Sequence, residues 1–269
     1  MDRVMKHAIS SLFSIALAAT YLVASQIDAT LTVVTDHDVH EENQVVESGA
    51  PPLCSEAVIA PLLTAIALPA AALVAYDLSL DKMVGEYERN LPHDPSTGYM
   101  FDAEPRRIGP EDSRRAVLFV HGFIGAGGNF ADLPDRLAAE GWLVRVMCLP
   151  GHGTTPRDLE SVTEDDLIGA VHKELDALRA DGRTVAVVGH SMGGTLAAIA
   201  AADGGVDCLV LGAPYFRVTR KWYYILSPET WVDAVKPAVR WVRKSDGFVM
   251  VNRKEAKRDI VSYGYIPIR

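Results

Sequence analysis

The chain has 269 residues, three cysteines and a formal charge of −9. An acidic chain with one basic stretch near its end is a poor nucleic-acid binder, and so few cysteines imply no disulfide framework. There is no P-loop, no GxGxxG at a strand end, no His/Cys cluster at metal-ligand spacing and no internal repeat or low-complexity tract.

Residues 1–25 read as a transmembrane helix or a signal peptide. Ala8 to Ser25 carries no charge and follows Arg3, Lys6 and His7, while Val23-Ala24-Ser25 is an acceptable cleavage site. Residues 26–56 follow as an acidic extracytoplasmic loop with seven acids, among them Asp36, Asp38, Glu41 and Glu42, and no Lys or Arg. The positive charge at Arg3 and Lys6 places that end inside and the acidic loop outside. Residues 57–76 are uncharged, and about 20 such residues cross a hydrocarbon core, so a second transmembrane helix is expected here. Pro61 and Pro69 interrupt it, though membrane helices tolerate proline better than soluble ones. Two crossings return the chain to the cytoplasmic side. If 57–76 is instead a surface or lid helix, cleavage of the first segment makes the protein secreted. Residues 77–114 form a connector, with Thr97 to Ile108 the best place for a first strand.

A regular alternation starts next. Ala116 to Val120 (AVLFV) reads as a fully buried strand, running into His121-Gly122-Phe123 and a glycine-rich loop that ends at Asn129. A helix over Asn129 to Glu140 is closed by Gly141, and Leu143 to Leu149 is the next strand, leading into Pro150-Gly151-His152-Gly153. Thr163 caps a helix whose inner face is Leu167, Ile168, Val171, Leu175 and Leu178, with Glu164, Asp165 and Asp166 in the first turn. Cys208 to Pro214 (CLVLGAP) is a further strand. Near-continuous apolar strands alternating with helices predict a mostly parallel sheet with helices on both faces, an α/β fold. Cys148 and Cys208 are expected to be buried in these strands, with Cys54 in a loop.

Thr184 to Gly194 (TVAVVGHSMGG) carries the chemistry. An apolar run is broken by Gly-His-Ser-Met-Gly and followed at once by the helix-forming TLAAIAAA. This predicts a strand, a sharp turn and a helix, with Ser191 exposed as an acyl-transfer nucleophile at the carboxyl end of its strand. Gly189 and Gly193 are needed because a Cβ at either place would crowd the crossing. The N–H of Met192 faces a developing oxyanion, and Phe123 supplies the second N–H, with Gly122 letting that backbone come close. The alternative for the motif is an ordinary glycine turn with a bystander serine. His121 is expected to buttress its loop through a hydrogen bond rather than act as a base.

VHGF, PGHG and GHSMGG, in that order and spacing, resemble the α/β-hydrolase superfamily from about Arg115 to Pro214. Within it they resemble the carboxylesterase, monoacylglycerol lipase and serine aminopeptidase branch. The resemblance implies a Ser-His-acid hydrolase of carboxylic esters with a lid after the sixth strand, working through an acyl-enzyme and needing no metal or organic cofactor. It also implies a structural role for His152. The chain departs from the pattern in one respect. The superfamily's histidine follows its serine, and here no histidine lies beyond Ser191. With an ending of YGYIPIR, the fold is expected to be incomplete at the C-terminus, and the fragment inactive; the alternative is a full-length relative that has lost its triad.

Residues 115–215 are thus the expected hydrolase core and 216–269 a lid segment. From Phe216 to Arg269 there are twelve Lys or Arg against five acids, and Trp222, Trp231 and Trp241 lie here beside Tyr223 and Tyr224. Ser227-Pro228 opens a helix, Pro237 kinks it, and Val239 to Lys244 continues it. One reading is a lid resting on anionic lipid; the other is a solvated basic face with its tryptophans packed on the sheet. The expected function is a membrane-tethered serine hydrolase of small-molecule or lipid esters. The alternatives are a serine aminopeptidase or thioesterase of the same fold, or a membrane-anchored binding protein without catalysis.

Overall fold

A computed structural model describes residues 56–217, 227–244 and 261–268. The segment 1–25, the acidic loop up to Ser55, and Trp222, Tyr223 and Tyr224 lie outside the described residues. The chain divides into two units, Met1–Leu78 and Ser79–Arg269.

Helix α1, Glu56–Arg89, covers the second apolar stretch. The stretch expected to be a transmembrane helix, 57–76, lies wholly within it. The helix does not stop where the apolar residues stop but continues through Asp77, Asp81, Lys82, Glu86 and Glu88. Among the described residues, no helix is long and apolar enough to cross a membrane. In the second unit its last turns bury Leu80 and Val84, four residues apart and so on one face. Asp81 and Glu88 hold Arg157 at 2.9 and 3.0 Å.

Five strands make the main sheet: β1 (Arg106–Ile108), β2 (Arg115–Val120), β3 (Leu143–Val146), β4 (Thr184–His190) and β5 (Cys208–Gly212). Their order is β1-β3-β2-β4-β5, with β1 antiparallel to β3 and every other pairing parallel. Side chains alternate across a strand, and the core divides accordingly. Ala116, Leu118, Val120, Val185 and Val187 pack with Val171, Leu175 and Leu178 of α3 (Glu164–Arg179) and Leu196, Ala197 and Ala200 of α4 (Met192–Ala202). Val117, Phe119, Val144, Val146 and Ala186 take the other face, against Leu137 and Ala138 of α2 (Leu133–Ala139). Both faces are therefore covered by helices, as a parallel sheet requires. The helix expected from Asn129 is a 3₁₀ turn, Gly127–Phe130, followed by α2. Thr163 begins α3 with a capping box: its hydroxyl accepts from the Asp166 N–H while the Asp166 carboxylate accepts from the Thr163 N–H.

Two expectations are corrected. Cys208 is exposed rather than buried. It lies on β5, an edge strand whose five residues are all exposed, because among the described residues no strand pairs with its outer edge. The stretch from Val239 does not continue a helix. Helix α5, Pro228–Val235, is capped by the Ser227 side chain and ends at Lys236. Trp241–Arg243 then forms β6, antiparallel to β7 (Tyr265–Pro267). Pro237 stops the helix, and Val239 and Trp241 point inward with the spacing of a strand. Trp241 is fully buried and its indole N–H donates to Asp81 at 3.3 Å, so it packs inward rather than offering itself to lipid.

Candidate active site

The turn between β4 and α4 is built by close approaches that only glycine allows. A Cβ on Gly193 would lie 2.2 Å from the Val120 carbonyl oxygen, and one on Gly189 would lie 2.5 Å from that of Gly193. Helix α4 is thereby pressed onto the end of β2 and onto its own strand. Ser191, at the crossing, has φ 53° and ψ −120°. A non-glycine residue in this region costs about 1–3 kcal/mol and persists only where its surroundings enforce it. Here the Ser191 N–H donates to Gly212 at 2.9 Å, and its carbonyl accepts from Gly194 at 2.9 Å and Tyr215 at 3.1 Å. The Thr195 hydroxyl donates to the Tyr215 carbonyl, a clamp that nothing in the local sequence signals.

The loop after β2 closes on the same point. A Cβ on Gly122 would stand 3.1 Å from the Ser191 Cβ, so the Gly122 backbone borders the serine. Phe123, 43% exposed, follows it. Neither the Phe123 N–H nor the Met192 N–H is hydrogen-bonded to an acceptor among the described residues. The structure thus brings Ser191, Gly122, Phe123, Met192, Gly189 and Gly193 to one corner of the sheet.

His121 is a clamp. Its ring is buried, Nδ1 donates to the Gly122 carbonyl at 2.9 Å, and Nε2 accepts from the Leu149 N–H at 3.0 Å. It ties the loop after β2 to the loop after β3. Burial, with His152 beside it, pushes its pKa down to about 3, so it is neutral at ordinary pH. His152 is likewise buried and its pKa lowered by burial. His190 is exposed, and its Nδ1 lies where a Gly122 Cβ would come within 3.3 Å. Cys148 is no second nucleophile, because burial pushes its thiol up to about 12.

A strap from the C-terminal segment finishes the corner. The Asn129 amide donates to the Val261 carbonyl at 3.1 Å and accepts from its N–H at 3.0 Å. The Tyr263 N–H donates to Ile124, and its hydroxyl donates to the Gly151 carbonyl while accepting from the Thr154 N–H, each of these two at 2.9 Å. These links join residues more than a hundred positions apart, so no local pattern announces them. A cavity of about 240 Å³ lies beside His121, His190 and β5, and another of about 300 Å³ beside His152. Ser191 lines neither.

Comparison with known proteins decides the family. The profile of the serine aminopeptidase S33 family matches residues 111–262, more than half of the chain. The chain belongs to that family. It is an α/β-hydrolase of the monoacylglycerol lipase and S33 branch. A thermostable monoacylglycerol lipase of Bacillus sp. (strain H-257) is 37% identical over 86 residues, which cover 32% of this S33 chain and 34% of that protein. The dihydrolipoyllysine-residue acetyltransferase component of the acetoin cleaving system of Cupriavidus necator is 28% identical over 193 residues, covering 69% and 46% respectively. The S33 chain thus matches less than half the length of each. A structure from work on LipS and LipT, two metagenome-derived lipolytic enzymes, has the same fold, with a TM-score of 0.52 at 24% identity. That match covers 63% of this chain and 65% of that one.

Proposed function

We propose that this chain carries the nucleophile and oxyanion hole of a serine hydrolase of carboxylic esters, of the carboxylesterase or monoacylglycerol lipase kind. The observation that carries the reading is the backbone of Ser191, held at positive φ at the end of β4 with Gly122 against it. In this reading the Ser191 hydroxyl attacks the ester carbonyl and an acyl-enzyme forms. The unbonded N–H groups of Phe123 and Met192 donate to the tetrahedral oxyanion, and Gly122 leaves room for that oxygen. The likeness to a monoacylglycerol lipase supports a lipid-type ester as substrate.

Among the described residues, no base stands at Ser191. No histidine follows Ser191, His121 has both ring nitrogens engaged, and no described side chain hydrogen-bonds the Ser191 hydroxyl. Oxyanion hole and binding alone leave about a thousandfold acceleration over water, so turnover by this chain alone is expected to be slow. A second reading is a hydrolase-like binding protein, which keeps the fold without the chemistry.

A fluorophosphonate probe separates the two. The ester-hydrolase reading expects labelling that exogenous imidazole accelerates and that Ser191→Ala abolishes. Labelling that survives Ser191→Ala refutes the nucleophile. An unlabelled Ser191, with or without imidazole, favours the binding protein.

A further inference from the structure

Among the described residues, Lys244 is a partly buried cation with no carboxylate beside it. It follows β6 and meets the strap that finishes the corner. Its N–H donates to the Gly264 carbonyl at 2.8 Å, and its Nζ donates to the Ser262 hydroxyl at 2.6 Å. Ser262, also partly buried, lies between Val261, held by Asn129, and Tyr263, held by Ile124. Other partly buried cations have anions: Arg145 meets Glu174 at 2.7 Å, and Arg157 meets Asp81 and Glu88.

A charge taken out of water without a counter-ion is disfavoured, and a lysine relieves the cost by giving up its proton. Burial accordingly holds the Lys244 amine below the usual lysine range. A neutral amine carries a nucleophilic lone pair. The Ser262 hydroxyl leaves that pair free, because it accepts a hydrogen from the nitrogen. The same surroundings choose which group the nitrogen can take up. Alkylation keeps the positive charge and a carbamate replaces it with a negative one, so both leave a charge out of water. An amide is neutral, and its N–H can still donate to Ser262.

We propose that Lys244 is an acylation site that takes a small acyl group from an acyl thioester. The amine lone pair attacks the thioester carbonyl and the C–N bond forms. The C–S bond then breaks, and the thiolate leaves with the proton that the nitrogen gives up. Ser191 takes no part in this reaction. The product keeps the link from β6 to Ser262 and loses the unpaired charge.

The test treats the full chain near neutral pH with a small thioester, S-acetyl-N-acetylcysteamine, and follows each lysine by peptide mass spectrometry. Lys244 should be acetylated at least about threefold faster than the exposed Lys82 and Lys173. Ser262→Asp supplies the absent counter-ion and should remove that advantage. Ser262→Asn, of the same size but neutral, should keep it. A chain carrying acetyllysine at position 244 should unfold at no lower urea concentration than the unmodified chain. The proposal is overturned if Lys244 reacts no faster than Lys82 and Lys173, a ranking that needs no variant to fold. It is also overturned if the Asp and Asn variants react alike, or if acetyllysine at 244 lowers the urea midpoint.

Discussion

Strands β4 and β5 are adjacent, parallel and similarly apolar, yet one is enclosed and the other open. Val185 and Val187 of β4 are fully buried, while Val210 of β5 is half exposed. An apolar run measures only the tendency to leave water, and burial depends on what is packed against it. Around β4 there is a strand on each side, α4 pressed close, and a loop held by His121. Around β5, among the described residues, there is β4 on one edge and α4 to one side, and its other edge is unpaired. The candidate nucleophile belongs to the enclosed region, where its strained backbone is enforced from several directions.

The sharpest way to break this contrast is with paired glycine substitutions. Gly193→Ala forces a Cβ into the Val120 carbonyl and should destabilise the fold by about 3 kcal/mol, measured by urea denaturation. Gly212→Ala, at the end of β5, meets nothing closer than 3.6 Å and should be neutral or stabilising by about 0.5 kcal/mol. Equal losses at the two positions would erase the distinction.

Acid should attack the enclosed region next. The folded pKa of His121 is about 3, far below its value of 6.5 in an unfolded chain. Between those values the unfolded state binds the extra proton. The stability that the neutral ring contributes is therefore complete above pH 6.5 and is lost as pH falls toward 3. The slope should be of order 1.4 kcal/mol per pH unit, and His152, also lowered, acts in the same direction. Denaturation at pH 7, 6 and about 5, above the carboxylate range, isolates this effect, and a flat profile would contradict the buried neutral pair.

Truncations of single side chains then refine the comparison. Val187→Ala in β4 should cost about 2 kcal/mol in thermal or urea unfolding. Val210→Ala in β5 should cost less than about 0.5 kcal/mol, because that side chain is already half in water. A Val210 loss as large as that of Val187 would mean that β5 is covered in solution.

Much of the enclosed region could be read from the residues. The elbow was legible because three signals coincide at Thr184–Gly194: an apolar strand, glycines at Gly189 and Gly193, and an alanine-rich helix. The Thr163 cap and the Ser227 cap were legible because capping involves residues three apart. The stretch Trp241–Arg243 was misread because its partner, Tyr265–Pro267, is more than twenty residues away, and a three-residue strand has too few positions to show its own period. The charges after Tyr76 were visible, but whether they ended or continued the helix was not, since apolar length alone does not locate a helix end.

Local chemistry in the sequence determined the order of strands and helices, the strained serine and the glycines around it, because each depends on residues within a turn or two of one another. Only the tertiary structure decided that β5 is exposed, that Trp241 turns inward and that His121 spends both nitrogens. Those outcomes depend on which distant groups arrive within hydrogen-bonding or packing distance, and distance through space is not written in the order of residues along the chain.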